Sequence, residues 1–232
     1  MENVVNDLVS DIENKLKIKD KRIMHYRSNE KILLVGEGDF SFATCLANAF
    51  GDASNLFATS LDSYRMFRLC QVIERYANAK RNIEVLKEKG CVVLHEVDAH
   101  TMSRHAILRQ HCFDVIVFNF PHADLVYREH DQFQIELHRD LVRGFLKNAY
   151  ELVSYEGQIH ITHKTAYPFD RWNIRELAKE ARMEYVVETE FNEWDYYPGY
   201  CNKKGEGHGI KCDESFPVGA CSTFIISIIS VM

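Results

Sequence analysis

The segment from Lys31 to Ala43 constrains the fold most, because an apolar run there stops at two closely spaced glycines. A run of leucine and β-branched residues that ends at glycine is typical of a buried parallel strand. Gly36 and Gly38 allow backbone conformations and close approaches that a Cβ atom would prevent, so a ligand can lie against the main chain. A helix that starts at Ser41 would direct its first N–H groups toward that ligand. The segment therefore predicts a strand, a tight turn and a helix.

The pattern at this turn does not identify the class of ligand. A dinucleotide-binding turn carries a third glycine, and Ser41 stands near that place. An adenosine-type ligand that carries an amino acid is therefore as consistent with the turn as a dinucleotide. A turn that joins a strand to a helix and binds nothing is a third interpretation.

Beyond the turn, apolar strands alternate with helices, as in a doubly wound α/β domain. Further strands are predicted at residues 55–62, 91–98, 113–118, 158–164, 184–191 and 221–230. Helices are predicted at residues 4–18, 64–89, 101–111, 132–154 and 171–182. We divide the chain into an N-terminal helix with a basic lead-in at 1–28 and one α/β domain at 29–232.

Acidic side chains close two of the predicted strands. Asp62 ends the strand that follows the glycine turn, and Asp98 ends the next one. The carboxyl ends of parallel strands line the edge of the sheet where nucleotide ligands bind. We therefore expect Asp62 to contact a ribose and Asp98 to lie beside an adenine ring. Asp62 as the N-cap of a following helix is the alternative.

The strand at 113–118 runs directly into Asn119, Phe120, Pro121 and His122. If this strand lies next to the glycine strand, it delivers Asn119 and His122 to the cleft that faces the ligand. The alternative is that Pro121 terminates the strand and Asn119 caps the turn.

The strand at 158–164 alternates polar and apolar residues. We place its two histidines and Gln158 on one face and its isoleucines on the other. This face would present polar groups close to those that follow the neighbouring strand.

Residues 192–221 form a long connection that mixes aromatic, glycine and lysine residues. Such connections are usually functional or disordered. Aromatic rings interleaved with lysines can stack on bases and pair with the phosphates of single-stranded RNA, whereas a surface loop without a partner is the alternative. The cysteines of this segment and His208 match no standard zinc spacing, so no metal site is predicted.

Composition restricts the class of protein and its compartment. The net charge of -6 argues against binding nucleic acid through overall charge, although it allows a local basic face. Seven cysteines, an odd number without a CxxC pair, indicate reduced thiols rather than a disulfide framework. We expect no membrane span and no secretion signal, and therefore a location inside the cell.

A set of motifs along the chain, taken together and in this order, points to a protein family. The motifs are His25-Tyr26, Leu33-Leu34-Val35-Gly36-Glu37-Gly38-Asp39-Phe40-Ser41-Phe42, Thr59-Ser60-Leu61-Asp62-Ser63, Phe113-Asp114 to Phe118-Asn119-Phe120-Pro121-His122, His163-Lys164 and Tyr197-Pro198-Gly199-Tyr200. In this combination the chain resembles the ribosomal-RNA uridine-N3 methyltransferase family, from about Tyr26 to the C-terminus. The resemblance implies a class I S-adenosylmethionine-dependent methyltransferase with a Rossmann-like, seven-stranded sheet.

The resemblance also implies S-adenosylmethionine as the cofactor and assigns roles to individual residues. The residues expected to bind the cofactor are Gly36, Glu37, Gly38 and Phe40 at its methionine end, Asp62 at its ribose and Asp98 at its adenine amino group. The residues expected to form the target-base pocket and to carry catalysis are Asn119, Pro121 and His122. Further substrate contacts are expected from Phe120, His163, Lys164, Tyr197, Tyr200 and Lys203.

The implied substrate is large-subunit ribosomal RNA, and the implied location is the nucleolus or nucleus, or the cytoplasm. An accessory protein that supplies RNA affinity would compensate for the acidic net charge. Three alternatives stay open: a methyltransferase for a protein or small-molecule acceptor, a catalytically idle binding module, and an NAD-dependent oxidoreductase. The oligomeric state is not predicted.

Overall fold

The computed structural model describes residues 20–62, 76–183, 185–205 and 212–228. The predicted helix at 4–18 and the first part of the one at 64–89 lie outside these residues. A small antiparallel hairpin of β1 (Arg22–Ile23) and β2 (Tyr26–Arg27) precedes the main sheet. The strands of the main sheet are β3 (Ile32–Val35), β4 (Leu56–Thr59), β5 (Val92–Leu94), β6 (Phe113–Asn119), β7 (Val153–Lys164), β8 (Tyr185–Glu190) and β9 (Cys221–Ser227).

The main sheet has seven strands in the order β5-β4-β3-β6-β7-β9-β8. The strands from β5 to β7 are parallel, and β9 runs antiparallel to both of its neighbours. The chain reverses its direction of progress across the sheet between β3 and β6, which is where ligands bind in such folds. The predicted Rossmann-like, seven-stranded α/β fold is confirmed.

Helices cover both faces of this sheet, as alternate burial on β3 requires. Leu33 and Val35 belong to one buried cluster, whereas Ile32 and Leu34 belong to another. The helices are α1 (Ser41–Phe50), α2 (Ala79–Glu88), α3 (Gln132–Leu152), α4 (Ile174–Glu180) and the short α5 (Glu193–Tyr196). Helices α3 and α4 bury the first cluster and α1 and α2 the second, so β3 is enclosed on both sides.

The predicted helix at 101–111 is wrong, because the chain forms two short 3-10 turns there. The turns span Met102–Arg104 and Leu108–Gln110, and His105 between them has extended backbone angles. Nδ1 of His105 accepts a hydrogen bond from the Ile107 N–H at 3.3 Å. Such a local side-chain bond competes with the helical pattern.

The end of α3 also differs from the prediction, which placed a helix at 132–154 and a strand at 158–164. Helix α3 ends at Leu152 and the chain passes straight into β7, so Gly157 lies inside a strand. A Cβ atom on Gly157 would lie 2.9 Å from the Asp114 carbonyl oxygen of β6. The glycine therefore permits close contact where the register between β6 and β7 is irregular.

The predicted helix at 171–182 is interrupted early. A 3-10 turn at Phe169–Trp172 precedes α4, and Asn173 between them has a φ of 49°. The Asn173 side chain accepts a hydrogen bond from the Glu176 N–H, so it acts as the N-cap of α4.

Candidate active site

The glycine turn after β3 is shaped by close packing at its first glycine. Gly36 has a φ of 71°, and a Cβ atom there would lie 2.5 Å from Cε2 of Phe118. Gly38 is less constrained, because a Cβ atom would meet Tyr76 and Lys203 at ordinary contact distances of 3.4 and 3.5 Å. The turn thus requires glycine at 36 in order to pass the neighbouring strand β6.

Side chains of the turn itself occupy N–H groups at the start of α1. Oδ1 of Asp39 accepts a hydrogen bond from the Ser41 N–H at 2.9 Å, and Oε2 of Glu37 accepts one from the Ala43 N–H at 3.2 Å. Our expectation that this helix directs free N–H groups at a ligand is therefore wrong for Ser41 and Ala43. The pyrophosphate of a dinucleotide would need such groups, which argues against NAD at this turn.

The same two carboxyl groups make the turn a favourable place for a cation. Burial raises the pKa of Glu37 to about 8, although the Ala43 N–H opposes this effect. Burial also raises the pKa of Asp39, although its hydrogen bonds to Ser41 oppose it. Within the described part of the chain, Oδ2 of Asp39 is buried without a hydrogen-bond partner, and the Lys203 ammonium lies 4.0 Å away. A ligand with a positively charged end, such as the ammonium and sulfonium of S-adenosylmethionine, fits this environment.

The remaining predicted cofactor residues lie at the same edge of the sheet. Asp62 follows β4 and is partly exposed. Asp98 follows β5 and is exposed, and its Oδ1 accepts a hydrogen bond from the His100 N–H at 2.8 Å. Phe40 is fully buried at the start of α1, and its ring centroid lies 5.8 Å from that of His95.

A second site, which we call the cleft, opens beyond the carboxyl end of β6. It has a volume of about 240 Å³, smaller than pockets that enclose a drug-sized ligand, and so it suits a single small planar group. The cleft brings together six of the predicted site residues. They are Phe120, Pro121, His122, His163, Lys164 and Lys203. The other lining residues are Leu125, Glu129, Phe169, Trp172, Lys204 and Phe216.

Asn119 ends β6, directly before the first residues that line the cleft. Both polar atoms of its side-chain amide are buried, and neither has a hydrogen-bond partner within the described ranges. The next residue, Phe120, has a φ of 48°, so the chain turns sharply at this point. A buried amide without partners is costly, and such a group at the carboxyl end of a strand next to the glycine strand is a candidate for binding a ligand.

The two histidines of β7 lie on opposite faces of the sheet, so their predicted placement on one face is wrong. They are three residues apart, and side chains of a strand alternate with a period of two. Nδ1 of His160 lies 3.3 Å from the Tyr26 hydroxyl on the α1 side of the sheet. The His163 ring packs on Trp172 with centroids 4.2 Å apart, and burial lowers the pKa of His163 to about 4. His163 therefore lines the cleft as an uncharged imidazole near pH 7.

The cationic and aromatic groups of the cleft are close together. Nζ of Lys164 lies 4.8 Å from the centroid of the Phe169 ring and 4.7 Å from that of Phe216, and burial lowers the pKa of Lys164. Lys203 is tied to the Asp213 carboxylate at 2.8 Å. Lys164 thus keeps its ammonium against aromatic rings, whereas much of the Lys203 charge is compensated within the chain.

The segment that follows β8 packs onto α1, and this placement changes the interpretation of its two tyrosines. Tyr197 is 2% exposed and its ring contacts Phe42 with centroids 5.0 Å apart, while Tyr200 contacts the same ring at 5.3 Å. Both lie outside the cleft. The substrate contact expected of Tyr197 is therefore not made in the cleft, because its ring is buried in the core.

The structure adds two residues to the site that the sequence analysis missed. Glu129 lines the cleft, and its Oε1 lies 3.2 Å from Nε2 of His122. His138 of α3 is fully buried, with its Nε2 3.7 Å from the same Oε1. His138 shares a helical face with apolar Ile135 and Val142. The polar side chain of His138 on the apolar face of the predicted helix was the sequence signal that could have identified this residue.

Comparison with known proteins identifies the family. The model of the BMT5-like family, described as rRNA (uridine-N3-)-methyltransferase, matches residues 33–204. The chain belongs to this family. The resemblance found in the sequence is confirmed, and this BMT5-like chain is a methyltransferase that uses S-adenosylmethionine.

Relatives and solved structures agree with this family. A protein of Arabidopsis thaliana that is described as uncharacterized is 49% identical over 214 residues, covering 91% of the BMT5-like chain and 99% of its own. The 25S rRNA (uridine(2634)-N(3))-methyltransferase of Saccharomyces cerevisiae is 22% identical over 240 residues, covering 81% of this chain and 70% of its own. A crystal structure of a methyltransferase from Pyrococcus furiosus shares the fold, with a TM-score of 0.50 and 15% identity over 86% of this chain and 75% of its own. None of the helices in the described ranges has the length and apolar character needed to span a bilayer.

Proposed function

We propose that the protein transfers a methyl group from S-adenosylmethionine to N3 of a uridine in large-subunit ribosomal RNA. The family description and the yeast relative support this substrate. The observation that carries the proposal is the Asn119 amide, which is buried without a hydrogen-bond partner among the described residues. It lies at the end of β6, next to the glycine strand β3 and directly before the first residue that lines the cleft. The edge of uracil presents a carbonyl, an imide N–H and a second carbonyl. An amide side chain complements such an edge, because it offers both a donor and an acceptor.

The reaction needs orientation and removal of one proton. The cofactor supplies an electrophilic methyl group on its sulfonium sulfur. Asn119 donates a hydrogen bond to a uracil carbonyl, and His122 accepts the N3 proton as the bond to the methyl carbon forms. Phe120 and Trp172 provide aromatic walls for a base turned out of its stack. The narrow cleft therefore suits one base better than an extended peptide.

Charge distribution supports an RNA substrate locally but not globally. Three lysines line the cleft, but Lys203 pairs with Asp213 and Lys204 pairs with Glu214, so we assign contact with the phosphates that flank a flipped base to Lys164. The whole chain carries a net charge of -6. We therefore propose that a basic accessory protein contributes to the affinity for the RNA, and that the protein acts in the nucleolus or nucleus.

The test is methylation in vitro with isotopically labelled S-adenosylmethionine, large-subunit ribosomal RNA and the purified chain. Digestion of the RNA and mass spectrometry should reveal labelled N3-methyluridine. Asn119→Ala and His122→Ala should each lower turnover by about 10²-fold or more. His130→Ala is the matched control, because His130 is an exposed histidine of the same loop, and it should retain wild-type turnover.

Asn119→Ala should leave the protein as stable as wild type, since the amide it removes makes no hydrogen bond within the described residues. A loss of activity without a loss of stability would thus assign Asn119 to the substrate. Label in protein or in a small molecule instead of RNA would contradict the proposal, as would turnover of both variants within a few-fold of wild type.

A further inference from the structure

The loop between the end of β6 and the start of α3 carries large apolar side chains on its outer surface. The exposed apolar residues of this loop are Leu125, Val126 and Tyr127, and Phe133 in the first turn of α3 is exposed as well. Tyr127 is 50% exposed and Phe133 is 70% exposed, and their ring centroids lie 5.7 Å apart. A cluster of large apolar side chains in contact with water marks a surface that binds a partner.

The outward orientation of this loop is fixed by a buried side chain of α3. Gln134 is fully buried, and its Oε1 accepts hydrogen bonds from the N–H groups of Val126 and Tyr127 at 2.9 Å each. Its Nε2 donates to the Asp124 carbonyl at 3.1 Å. The loop could bury its apolar side chains only by breaking these hydrogen bonds and leaving a buried amide without partners. The fold therefore holds these side chains toward solvent.

The same loop also forms part of the wall of the cleft. Leu125 and Glu129 both line the cleft, and Tyr127 lies midway between them in the sequence. Tyr127 and Phe133 themselves do not line it. A nucleotide chain that places one base in the cleft must pass its neighbouring nucleotides over the surface around the opening. The two exposed rings therefore lie where nucleotides next to the target would run.

Two arginines accompany the exposed rings, and their charges are not compensated by carboxylates of the described residues. Arg128 directly follows Tyr127 and is exposed, and no described carboxylate pairs with it. The guanidinium of Arg171 donates to the His130 carbonyl and to the side-chain oxygen of Gln132, which are both neutral acceptors. Both arginines can therefore contact phosphate groups.

The acids of this surface are partly engaged within the chain. Oε1 of Glu129 lies 3.2 Å from Nε2 of His122. Oδ1 of Asp131 accepts a hydrogen bond from the N–H of residue 133 at 2.9 Å, where it caps α3. Asp124 and Asp170 are exposed. The surface is thus mixed in charge, so attraction between charges alone would not bind a polyanion there.

The charge of the whole chain favours stacking as the main source of RNA affinity. The chain carries a net charge of -6, and two lysines of the cleft, Lys203 and Lys204, are paired with carboxylates. Stacking of bases on aromatic rings does not require a basic protein, and it accepts every base. Exposed aromatic rings beside arginines are the arrangement with which proteins hold single-stranded nucleic acid.

We propose that Tyr127 and Phe133 form a platform on which nucleotides next to the target uridine stack, while Arg128 and Arg171 contact their phosphates. This inference rests on the proposed function, because it takes RNA as the substrate. It also restricts the class of RNA. The bases of a duplex are already stacked on one another and cannot reach the rings, so the target must lie in an unpaired segment.

The first test measures binding by fluorescence anisotropy of a labelled single-stranded oligouridylate of about ten nucleotides, without cofactor. Tyr127→Ala and Phe133→Ala should each weaken binding by about tenfold. Phe133→Tyr keeps a ring and should bind within about twofold of wild type, whereas Phe133→Leu keeps only the apolar character and should bind as weakly as Phe133→Ala. Annealing the probe to oligoadenylate should weaken binding by about tenfold or more.

The matched control is Tyr155→Ala, which removes another exposed tyrosine. Tyr155 lies near the start of β7, whereas the cleft lies at the other end of that strand. This variant should bind the oligouridylate like wild type. Arg128→Gln should weaken binding and lower its dependence on salt by about one ion, because one phosphate contact is lost.

The second test measures methylation of RNA at limiting RNA concentration. Phe133→Ala should raise KM for RNA by about tenfold and leave kcat within about twofold, because the platform binds the substrate away from the reacting atoms. Wild-type affinity of Tyr127→Ala and Phe133→Ala for the oligouridylate would overturn the inference, as would no binding to wild type. Wild-type affinity of Phe133→Leu would overturn it too, because apolar contact without a ring would then suffice.

Association of the protein with itself is the remaining way to cover this surface. A dimer of wild type in sedimentation velocity that Phe133→Ala converts to a monomer would overturn the inference in favour of a second copy of the chain. Binding of oligouridylate that depends on both rings, without methylation of RNA, would support the platform and contradict only the proposed reaction.

Discussion

Glu37→Gln tests whether the glycine turn is built for a cationic ligand, because it removes a buried acid that the fold holds in its neutral form. Burial raises the pKa of Glu37 from 4.5 to about 8. Between these two values the folded chain binds more protons than the unfolded chain, so the free energy of unfolding falls as pH rises. The slope is at most about 1.4 kcal/mol per pH unit, which amounts to about 4 to 5 kcal/mol across the interval.

The assay is urea unfolding of wild type and Glu37→Gln between pH 5 and pH 9, without cofactor. Near pH 5 the two proteins should have similar stabilities, because glutamine resembles a protonated glutamate. Above pH 8 the variant should be the more stable protein by several kcal/mol, and this difference should grow steadily from pH 5. Glu88→Gln, at an exposed position of α2, should follow wild type throughout. Equal pH dependence of wild type and Glu37→Gln would refute the assignment of a raised pKa to this carboxyl.

Cofactor binding gives an independent measurement on the same residue. A positively charged cofactor favours the ionised carboxylate, so its binding near pH 7 should release close to one proton from wild type. Calorimetric titration of S-adenosylmethionine in buffers of different ionisation enthalpy measures this number. The affinity of wild type should increase as pH rises toward 8, whereas Glu37→Gln should release almost no proton. Proton release that is equal in both proteins would show that another group titrates.

Two further predictions concern packing around the same turn. Gly36→Ala should lower the free energy of unfolding by about 2 to 4 kcal/mol, because residue 36 has a positive φ and the new Cβ atom would lie 2.5 Å from Phe118. Gly199→Ala is the control, since Gly199 has a φ of 88° but open space around it, and it should lower that free energy by only about 1 to 2 kcal/mol. Equal losses in urea unfolding would contradict a role for the contact with Phe118. Ser41→Ala should speed hydrogen exchange at the Cys201 amide by about tenfold, because the Ser41 hydroxyl accepts from that N–H at 3.0 Å and donates to the Cys201 carbonyl at 3.2 Å. Unchanged exchange would mean that other contacts hold this segment on α1.

The sequence was sufficient for the architecture because burial on both faces makes parallel strands visible as apolar runs. The run before Gly36 and the run before Asn119 mark β3 and β6, which are neighbours in the sheet. Topology then places the polar residues that follow them at one edge. Local contacts made other predictions wrong. The His105 side chain bonds the backbone where a helix was expected, and Gly157, which lies between the predicted helix and the predicted strand, belongs to β7 and permits a close strand contact.

The candidate site was only partly predictable, because its remaining members depend on tertiary contacts. Glu129 and His138 belong to none of the motifs, and only the folded chain shows that both lie beside His122. Tyr197 is of a residue type that can stack on bases, but packing against α1 buries its ring. Occupation of the Ser41 N–H by Asp39 likewise depends on how the turn folds, which the spacing of the glycines does not specify.

Helix α3 passes into β7 without a connecting loop, and this continuity has an evolutionary consequence. The loop before α3 and the end of β7 both line the cleft, so the stretch from Phe120 to Trp172 supplies most of its walls as one uninterrupted piece of chain. The residues expected to hold the cofactor all precede this piece, since the last of them is Asp98. Acceptor preference could thus diversify by exchange of a single gene segment between relatives, while the machinery that holds the methyl donor is inherited unchanged.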